Sequence, residues 1–154
     1  MNKLQALNIS MSFSNAQHSV DVLEDISLEL HEGQSIGIIG SSGCGKTTLL
    51  QILAGLETPS AGKVFFNDIN LSANNKTQFT QLRSSLFGFV YQFHYLLEDL
   101  TLFENCELTF QILQSKDHAA NHQSILAIFD ELGIYHLKDH YPFMLSGGER
   151  QRAA

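Results

Sequence analysis

The sequence is short of cysteine, proline and positive charge. Its 154 residues include 2 Cys, 2 Pro and 9 Lys and Arg against 16 Asp and Glu, which gives a formal net charge of −7. Two cysteines make neither a disulfide framework nor a zinc-ligand cluster, so a reducing cytoplasm is the expected setting. Nucleic-acid binding depends on cationic side chains that neutralise phosphates, and an acidic chain is not suited to it. We therefore expect no nucleic-acid partner, and any anion site must be local.

Long apolar runs are also missing. No segment approaches the roughly 18 to 20 apolar residues that cross a bilayer, and the N-terminus has no apolar run of signal-peptide length. We therefore expect any membrane contact to be made through partners. The sequence does contain 44% hydrophobic residues and only 16% charged ones, which is enough apolar material for one domain with a core.

Hydrophobic periodicity predicts the elements of this domain. Alternation typical of half-buried strands occurs at 4–13 and 26–31, and a polar loop at 14–19 separates them. Apolar runs at 35–39 and 86–91 predict strands buried on both faces. Further short strands are predicted at 64–66 and 69–71, and helices at 46–56, 102–113 and 124–132. The chain from 133 to 145 is expected to be loop.

Residues 40–47, GSSGCGKT, match the phosphate-loop pattern G-x-x-x-x-G-K-[ST], after a predicted strand and before a predicted helix. Its glycines allow backbone N–H groups to surround an anion, and the helix adds its positive dipole end. Lys46 would reach the β- and γ-phosphates, and the Thr47 hydroxyl would bind Mg²⁺. The alternative is a glycine-rich turn without a ligand. The other predicted nucleotide contacts are Gly40, Ser41, Ser42, Gly43, Cys44, Gly45 and Thr48.

A second motif, LSGGERQR, occupies residues 145–152. Ser146 and Glu149 have the S-x-x-E spacing of a capping box, which predicts the start of a helix. A serine followed by Gly147 and Gly148 at a helix N-terminus would also allow the close backbone approach of a phosphate. Taken alone, the motif is better interpreted as a capping box.

The phosphate loop followed by LSGGERQR resembles the nucleotide-binding subunits of ATP-binding-cassette (ABC) transporters, and the resemblance covers residues 4–154. YQFHYLL at 91–97, followed by TLFEN at 101–105, matches the family's Q-loop region. That stretch is particularly similar to ATP-binding subunits of lipoprotein-releasing exporters, with macrolide-exporter-type subunits as the alternative.

The resemblance implies an α/β P-loop NTPase fold with an antiparallel β subdomain and a helical subdomain. It divides the chain into a nucleotide-binding core with the β subdomain (1–92), a Q-loop and helical subdomain (93–148), and the signature motif with the start of its helix (145–154). It also implies a core sheet that is incomplete at the C-terminus of these 154 residues.

Individual roles follow from the same resemblance. Phe13 would stack on adenine, although a core phenylalanine is the alternative. Gln92 would contact Mg²⁺ and the attacking water, and its alternative is a surface residue that ends a strand. Ser146 and the two glycines after it would contact the γ-phosphate bound by the opposite subunit of a head-to-tail dimer. Cys44 is either a reactive thiol or a passive small residue. The implied cofactors are ATP and Mg²⁺, with Thr47 and Gln92 at the metal.

The implied function is ATP hydrolysis coupled to lipoprotein release, by a peripheral subunit on the cytoplasmic face of the inner membrane beneath transmembrane permease subunits. The family's Walker-B Asp-Glu strand and switch histidine do not occur up to Ala154. We therefore expect these 154 residues to hydrolyse ATP negligibly and to be prone to aggregation. Two other classes stay open: a small P-loop kinase, which has no need for LSGGE, and a nucleotide-binding remnant without turnover.

Overall fold

The computed structural model describes residues 2–14, 18–72, 86–112 and 117–154. The chain divides into two compact units, residues 1–87 and 88–154, and each is described by itself. Residues 15–17 of the predicted loop and residue 113 of a predicted helix lie outside the described residues. The subdomain boundaries implied by the resemblance stay predictions.

The first unit contains an antiparallel sheet of four strands in the order β2-β1-β3-β4. The strands are β1 (Lys3–Ser14), β2 (Ser19–His31), β3 (Ala61–Phe66) and β4 (Ile69–Asn70). β1 lies in the middle and pairs with β2 along its whole length, from Lys3 opposite His31 to Ser14 opposite Ser19. This pairing explains why β2 begins seven residues before the predicted strand at 26: the backbone groups of β1 need partners there.

One helix, α1 (Lys46–Leu53), packs against the sheet. Leu49, Ile52 and Leu53 are its buried residues, and they recur at the spacing of one helix face. The helix ends three residues before the predicted end, because Gly55 takes the left-handed conformation (φ 65°) that commonly terminates helices. The buried residues of this core are Ala6, Ile9, Met11, Leu23, Leu49, Ile52, Leu53, Val64 and Leu71.

The predicted buried strands at 35–39 and 86–91 are wrong for this structure. Neither run belongs to the sheet among the described residues. Their side chains are mostly exposed, with 93% of Ile39 and 78% of Val90 accessible to solvent. An apolar run predicts burial, but a strand also requires a neighbour for its backbone hydrogen bonds. Neither run is paired as a strand within the described part of the chain.

The second unit is helical. It contains α2 (Leu102–Ile112), α3 (His118–Glu131) and α4 (Gly147–Ala153), with 3₁₀ turns at Tyr135–Leu137 and Pro142–Met144 in the stretch predicted as loop. α3 begins six residues before the predicted start, because the Asp117 carboxylate caps it by accepting the Ala120 N–H at 3.0 Å. The buried residues of this core are Leu102, Ile125, Phe129, Ile134, Leu137 and Leu145.

Candidate functional site

The phosphate loop precedes α1 and depends on glycine at its last turn. Gly45 has a φ of +88°, which disfavours other residues, and it lies against β2. A Cβ at this position would be 2.9 Å from the Val22 carbonyl oxygen and from a Leu23 methyl carbon. Gly43 is also left-handed (φ +82°) but has open space where a Cβ would be. The loop therefore takes its shape from left-handed backbone and from direct contact with the sheet.

Lys46 is the cation of the loop. Its ammonium group donates hydrogen bonds to the carbonyl oxygens of Gly40 at 3.0 Å and Ser41 at 2.6 Å. The Cys44 sulfur lies 3.8 Å from the same nitrogen. The charge is thereby folded back across the residues that precede the helix instead of extending into solvent, which suits an anion held within the loop.

The start of α1 is open. Its N-cap is Gly45, no side chain caps it, and its first turn contains no acidic residue. The first N–H groups of a helix have no partner within the helix, and together with the dipole they attract anions. Thr47 is exposed in this turn, with its hydroxyl available to a cation that accompanies the anion. These residues fit a nucleotide phosphate with Mg²⁺.

Phe13 lies at the end of β1 and is 48% exposed, so it is not a core residue. It pairs with Val20 of β2. Val22, which contacts the position of Gly45, lies two residues further along β2, a distance of about 7 Å at the rise of a strand. The first unit therefore brings an accessible aromatic ring and the phosphate loop to the same end of β2.

Gln92 belongs to the second unit, in an irregular segment before α2, and its side chain is exposed. Aromatic rings flank it. Tyr91 stacks on Phe89 with ring centroids 5.8 Å apart and meets Tyr95 edge-on at 5.0 Å. Tyr95 and Phe93 are each 72% exposed. Gln92 is thus surrounded in sequence by accessible aromatic side chains, and it ends no strand.

Ser146 caps α4 in the predicted manner. Its N–H and its hydroxyl both donate to the Glu149 carboxylate, at 2.8 and 2.6 Å, and the Glu149 N–H donates back to the hydroxyl oxygen at 3.4 Å. The hydrogen bonds from the Ser146 hydroxyl and N–H lower the pKa of Glu149 below its ordinary value of 4.5. The capping box that the sequence predicted is confirmed.

Gly147 and Gly148 open the same helix, and both are exposed. A Cβ on Gly147 would meet nothing within 4 Å, and one on Gly148 would approach only the end of the Arg152 side chain, at 3.8 Å. Neither has a left-handed φ. In the part of the chain that the structure describes, no contact or backbone angle requires glycine at these positions.

Sequence analysis missed a polar cluster at the start of α2. Thr101 and Glu104 form a second capping box, with the Thr101 N–H and hydroxyl each 2.8 Å from the carboxylate, and these bonds lower the pKa of Glu104. The T-x-x-E spacing could have revealed it. The Asn105 side chain forms hydrogen bonds with four backbone groups of the preceding turn, and no spacing rule predicts these bonds. Burial raises the pKa of the nearby Cys106 thiol.

A cavity of about 240 Å³ adjoins Asn105 within the second unit. It is lined by residues 94–97, by one face of α2 and by the last two residues of the chain. His94 is one of these lining residues, and its ring nitrogen Nδ1 is buried without a hydrogen-bond partner.

The described residues contain no helix that is both long enough and apolar enough to cross a membrane. They also contain no group of three or more histidine, cysteine, aspartate or glutamate side chains arranged to hold a metal ion.

Comparison with known proteins defines the class. The family model described as "ABC transporter" matches residues 23–154. The chain therefore belongs to the ABC transporter family, as the two motifs implied.

The names of similar proteins indicate a more specific class within this family. The chain is 41% identical over 151 residues to the lipoprotein-releasing system ATP-binding protein LolD of Saccharophagus degradans, and 42% identical to the protein of that name from Pseudomonas syringae pv. tomato. Both alignments cover 98% of this chain and 66% of the relative. The chain thus spans about two thirds of the length of these relatives.

Solved structures agree with this class. The fold is similar to the dimeric structure of MJ0796, a bacterial ABC transporter cassette, with a TM-score of 0.90. It is also similar to a post-hydrolysis state of MJ0796 bound to ADP and Pi, with a TM-score of 0.89. Both comparisons have 27% sequence identity and cover 97% of this chain and 66% of the other. The predicted fold class, an ABC ATPase cassette of the P-loop NTPase type, is confirmed.

Proposed function

We propose that this chain is the ATP-binding subunit of an ABC exporter of the lipoprotein-releasing type. The observation that carries the proposal is the open start of α1, where uncapped N–H groups and the Lys46 ammonium converge on one loop. The names of the relatives supply the transported class, since the matched proteins are ATP-binding proteins of lipoprotein-releasing systems.

The first unit binds the nucleotide. Lys46 contacts the β- and γ-phosphates, and the loop residues from Gly40 to Thr48 contribute N–H groups and hydroxyls around them. Phe13 stacks its exposed ring on the adenine, which requires only a flat apolar face near the loop. Mg²⁺, when bound, neutralises phosphate charge, and the Thr47 hydroxyl would hold it in this unit.

The second unit contributes the signature motif to a nucleotide bound by another copy of the chain. Gly147 and Gly148 support this role because no contact within the described residues requires glycine there. Glycine in a helix also costs about 0.5–1 kcal/mol relative to alanine. A phosphate that approaches closely from outside the chain would explain why glycine occupies these two positions next to Ser146. The dimeric cassette structures that resemble this chain support such a partnership.

The remaining partners are transmembrane permease subunits, which hold the chain at the cytoplasmic face of the inner membrane. The accessible side chains of Phe93, Tyr95 and Leu97 form an apolar surface suited to a helix of the permease. The acidic residues that follow them, Glu98 and Asp99, favour a basic partner segment.

Isothermal titration of the protein with MgATP, MgADP and adenosine tests nucleotide binding. We expect adenosine to bind at least about 100-fold more weakly than MgATP, because charge-assisted bonds to the phosphates are each worth about 1.5–3 kcal/mol. Equal affinity for adenosine and MgATP would overturn the assignment of the loop.

Binding to purified permeases in detergent tests the transporter class. We expect the protein to bind a lipoprotein-releasing permease and to ignore a macrolide-exporter permease. Preference for the macrolide permease would replace the proposed substrate class. Binding to neither, together with phosphate transfer to a metabolite, would favour the kinase alternative.

A further inference from the structure

We propose that Asn105 is a positioning residue, whose carboxamide fixes the turn at residues 97–101 and thereby sets the width of the cavity beside it. Asn105 lies in the first turn of α2 and is half-buried. Its Oδ1 accepts the Leu97 N–H at 2.8 Å. Its Nδ2 donates to the carbonyl oxygens of Leu97 and Leu100, both at 3.1 Å, and of Thr101 at 2.9 Å.

Only a carboxamide of this length satisfies these groups. Asparagine offers an acceptor and two donor hydrogens from one planar group, whereas an aspartate carboxylate offers acceptors alone. The two hydrogens of Nδ2 are shared among three carbonyl oxygens, so every polar atom of the side chain is used. The turn has one further bond of its own, from the Leu100 N–H to the Leu97 carbonyl at 3.1 Å. The side chain of Asn105 therefore supplies four hydrogen bonds to the turn, beside those that Glu104 and the α2 backbone make to Thr101.

The turn reaches the cavity through Leu97. Leu97 and the three residues before it line the cavity, as do Asn105, Cys106 and Thr109 of α2. The two hydrogen bonds between the Asn105 side chain and the Leu97 backbone join the segment at 94–97 to α2. Loss of these bonds would let the segment move away from the helix and widen the cavity.

The six buried apolar side chains of the second unit's core lie outside the turn, in α2, α3 and the segment up to Leu145. Leu96 and Cys106 pack against this core as partly buried neighbours. Leu97 itself is 50% exposed, and Glu98 and Asp99 after it are exposed as well. Loss of the Asn105 bonds should therefore release the turn without unfolding the helices, since local opening requires far less free energy than global unfolding.

Tyr95 and Leu97 line the cavity and also belong to the surface that we assign to the permease. The functional meaning of this inference therefore rests on the proposed function. A preformed wall lowers the ordering cost of binding a partner. Asn105 would contribute to permease affinity by holding this segment in place.

Hydrogen exchange and thiol alkylation of Asn105→Ala test the proposal directly. We expect the Leu97 N–H to exchange at least about tenfold faster than in the unsubstituted protein, because several hydrogen bonds are lost together. N-ethylmaleimide should modify Cys106 several-fold faster, as measured by peptide-resolved mass spectrometry that separates it from Cys44. Gln111→Ala, which removes the other carboxamide of α2 at an exposed position, should change neither rate.

A second variant distinguishes positioning from general stabilisation. Asn105→Asp keeps an acceptor for the Leu97 N–H but removes both donors, so it should restore slow exchange of Leu97 only in part. The N–H groups of α3 around Ile125 and Phe129 should keep their protection in both variants. Parallel loss of protection in α3 would show a merely structural role and overturn the proposal, as would unchanged exchange at Leu97.

The functional arm uses the purified lipoprotein-releasing permease and MgATP. Asn105→Ala should weaken permease binding about tenfold or more while the affinity for MgATP stays unchanged. Equal permease affinity for the variant would overturn the positioning role at that surface. If the unsubstituted protein itself fails to bind the permease, the proposed function fails, and the exchange and alkylation results still decide whether Asn105 sets the cavity.

Discussion

The start of α1 and the start of α4 are both glycine-containing helix starts, but they are built in opposite ways. α1 begins at a left-handed Gly45, without a side-chain cap and without an acidic residue in its first turn. α4 begins at Ser146, whose N–H and hydroxyl are both bonded to the Glu149 carboxylate. The first helix start has no side-chain cap and has a lysine beside it, whereas the N–H groups of the second are capped by its own serine and glutamate. Motif spacing alone makes the two look alike, and the capping geometry separates them.

Glycine has a different purpose in each helix start. Gly45 is required by the chain itself, because its backbone is left-handed and β2 occupies the space of a Cβ. Gly147 is not required by any described residue. The comparison therefore assigns the first glycine to folding, whereas no described residue accounts for the second, in keeping with the outside contact that we propose for it.

The largest effect is expected from removing the lysine at the open helix start. Lys46→Ala removes the cation held by the carbonyl groups of Gly40 and Ser41, and we expect MgATP affinity to fall at least about 100-fold. Isothermal titration measures this. Lys63→Ala, which removes an exposed lysine from β3, is the matched control and should bind normally. Equal affinities for the two variants would remove Lys46 from the site.

The next effect concerns the glycines of the loop. Gly45→Ala adds a methyl group against β2 in a left-handed backbone, so we expect the free energy of unfolding to fall by about 2–5 kcal/mol. Gly43 also has a positive φ, but a Cβ there would meet open space. Gly43→Ala should therefore lower the free energy of unfolding by only about 1–2 kcal/mol. Urea denaturation compares them. Similar losses in both variants would mean that contact with β2 is not what requires Gly45.

A smaller and opposite effect is expected at α4. Gly147→Ala should leave the stability of the helix unchanged or raise it by up to about 1 kcal/mol, because alanine is the better helix former and its methyl meets nothing. Hydrogen exchange of the α4 backbone measures this. MgATP-dependent dimerisation, followed by light scattering, should be lost in the same variant. A destabilised helix would show that the glycine serves the fold after all.

The smallest effect is the pH dependence of the closed helix start. Because its folded pKa is depressed, Glu149 stabilises the cap above its ordinary pKa of 4.5, and this stabilisation is lost as the pH falls through the folded value. NMR titration of the Ser146 amide should show the cap opening on the acid side of pH 4.5. Glu149→Gln should flatten this titration, and an unchanged titration in that variant would assign it to another group.

Local turns and caps can be predicted from this sequence better than strand pairing. The phosphate loop and both residues of the α4 capping box follow from local spacing, since a turn or a cap is made by neighbours in the chain. The strands predicted at 35–39 and 86–91 were wrong because strand pairing depends on residues far away in the sequence. An apolar pattern within a run carries no information about such a partner strand. The four hydrogen bonds of the Asn105 side chain were not predicted for a related reason. They depend on the shape of a turn for which no sequence rule exists.

The contact of Gly45 with Val22 and Leu23 couples the loop mechanically to the sheet. A Cβ at position 45 would be only 2.9 Å from the Val22 carbonyl oxygen, so the Gly45 backbone packs closely against the backbone of β2. The loop and β2 should consequently move as one body, and a shift of the strand would be transmitted to bound phosphates with little loss. Enlarging Val22 would then tune nucleotide affinity from a residue that never touches the ligand.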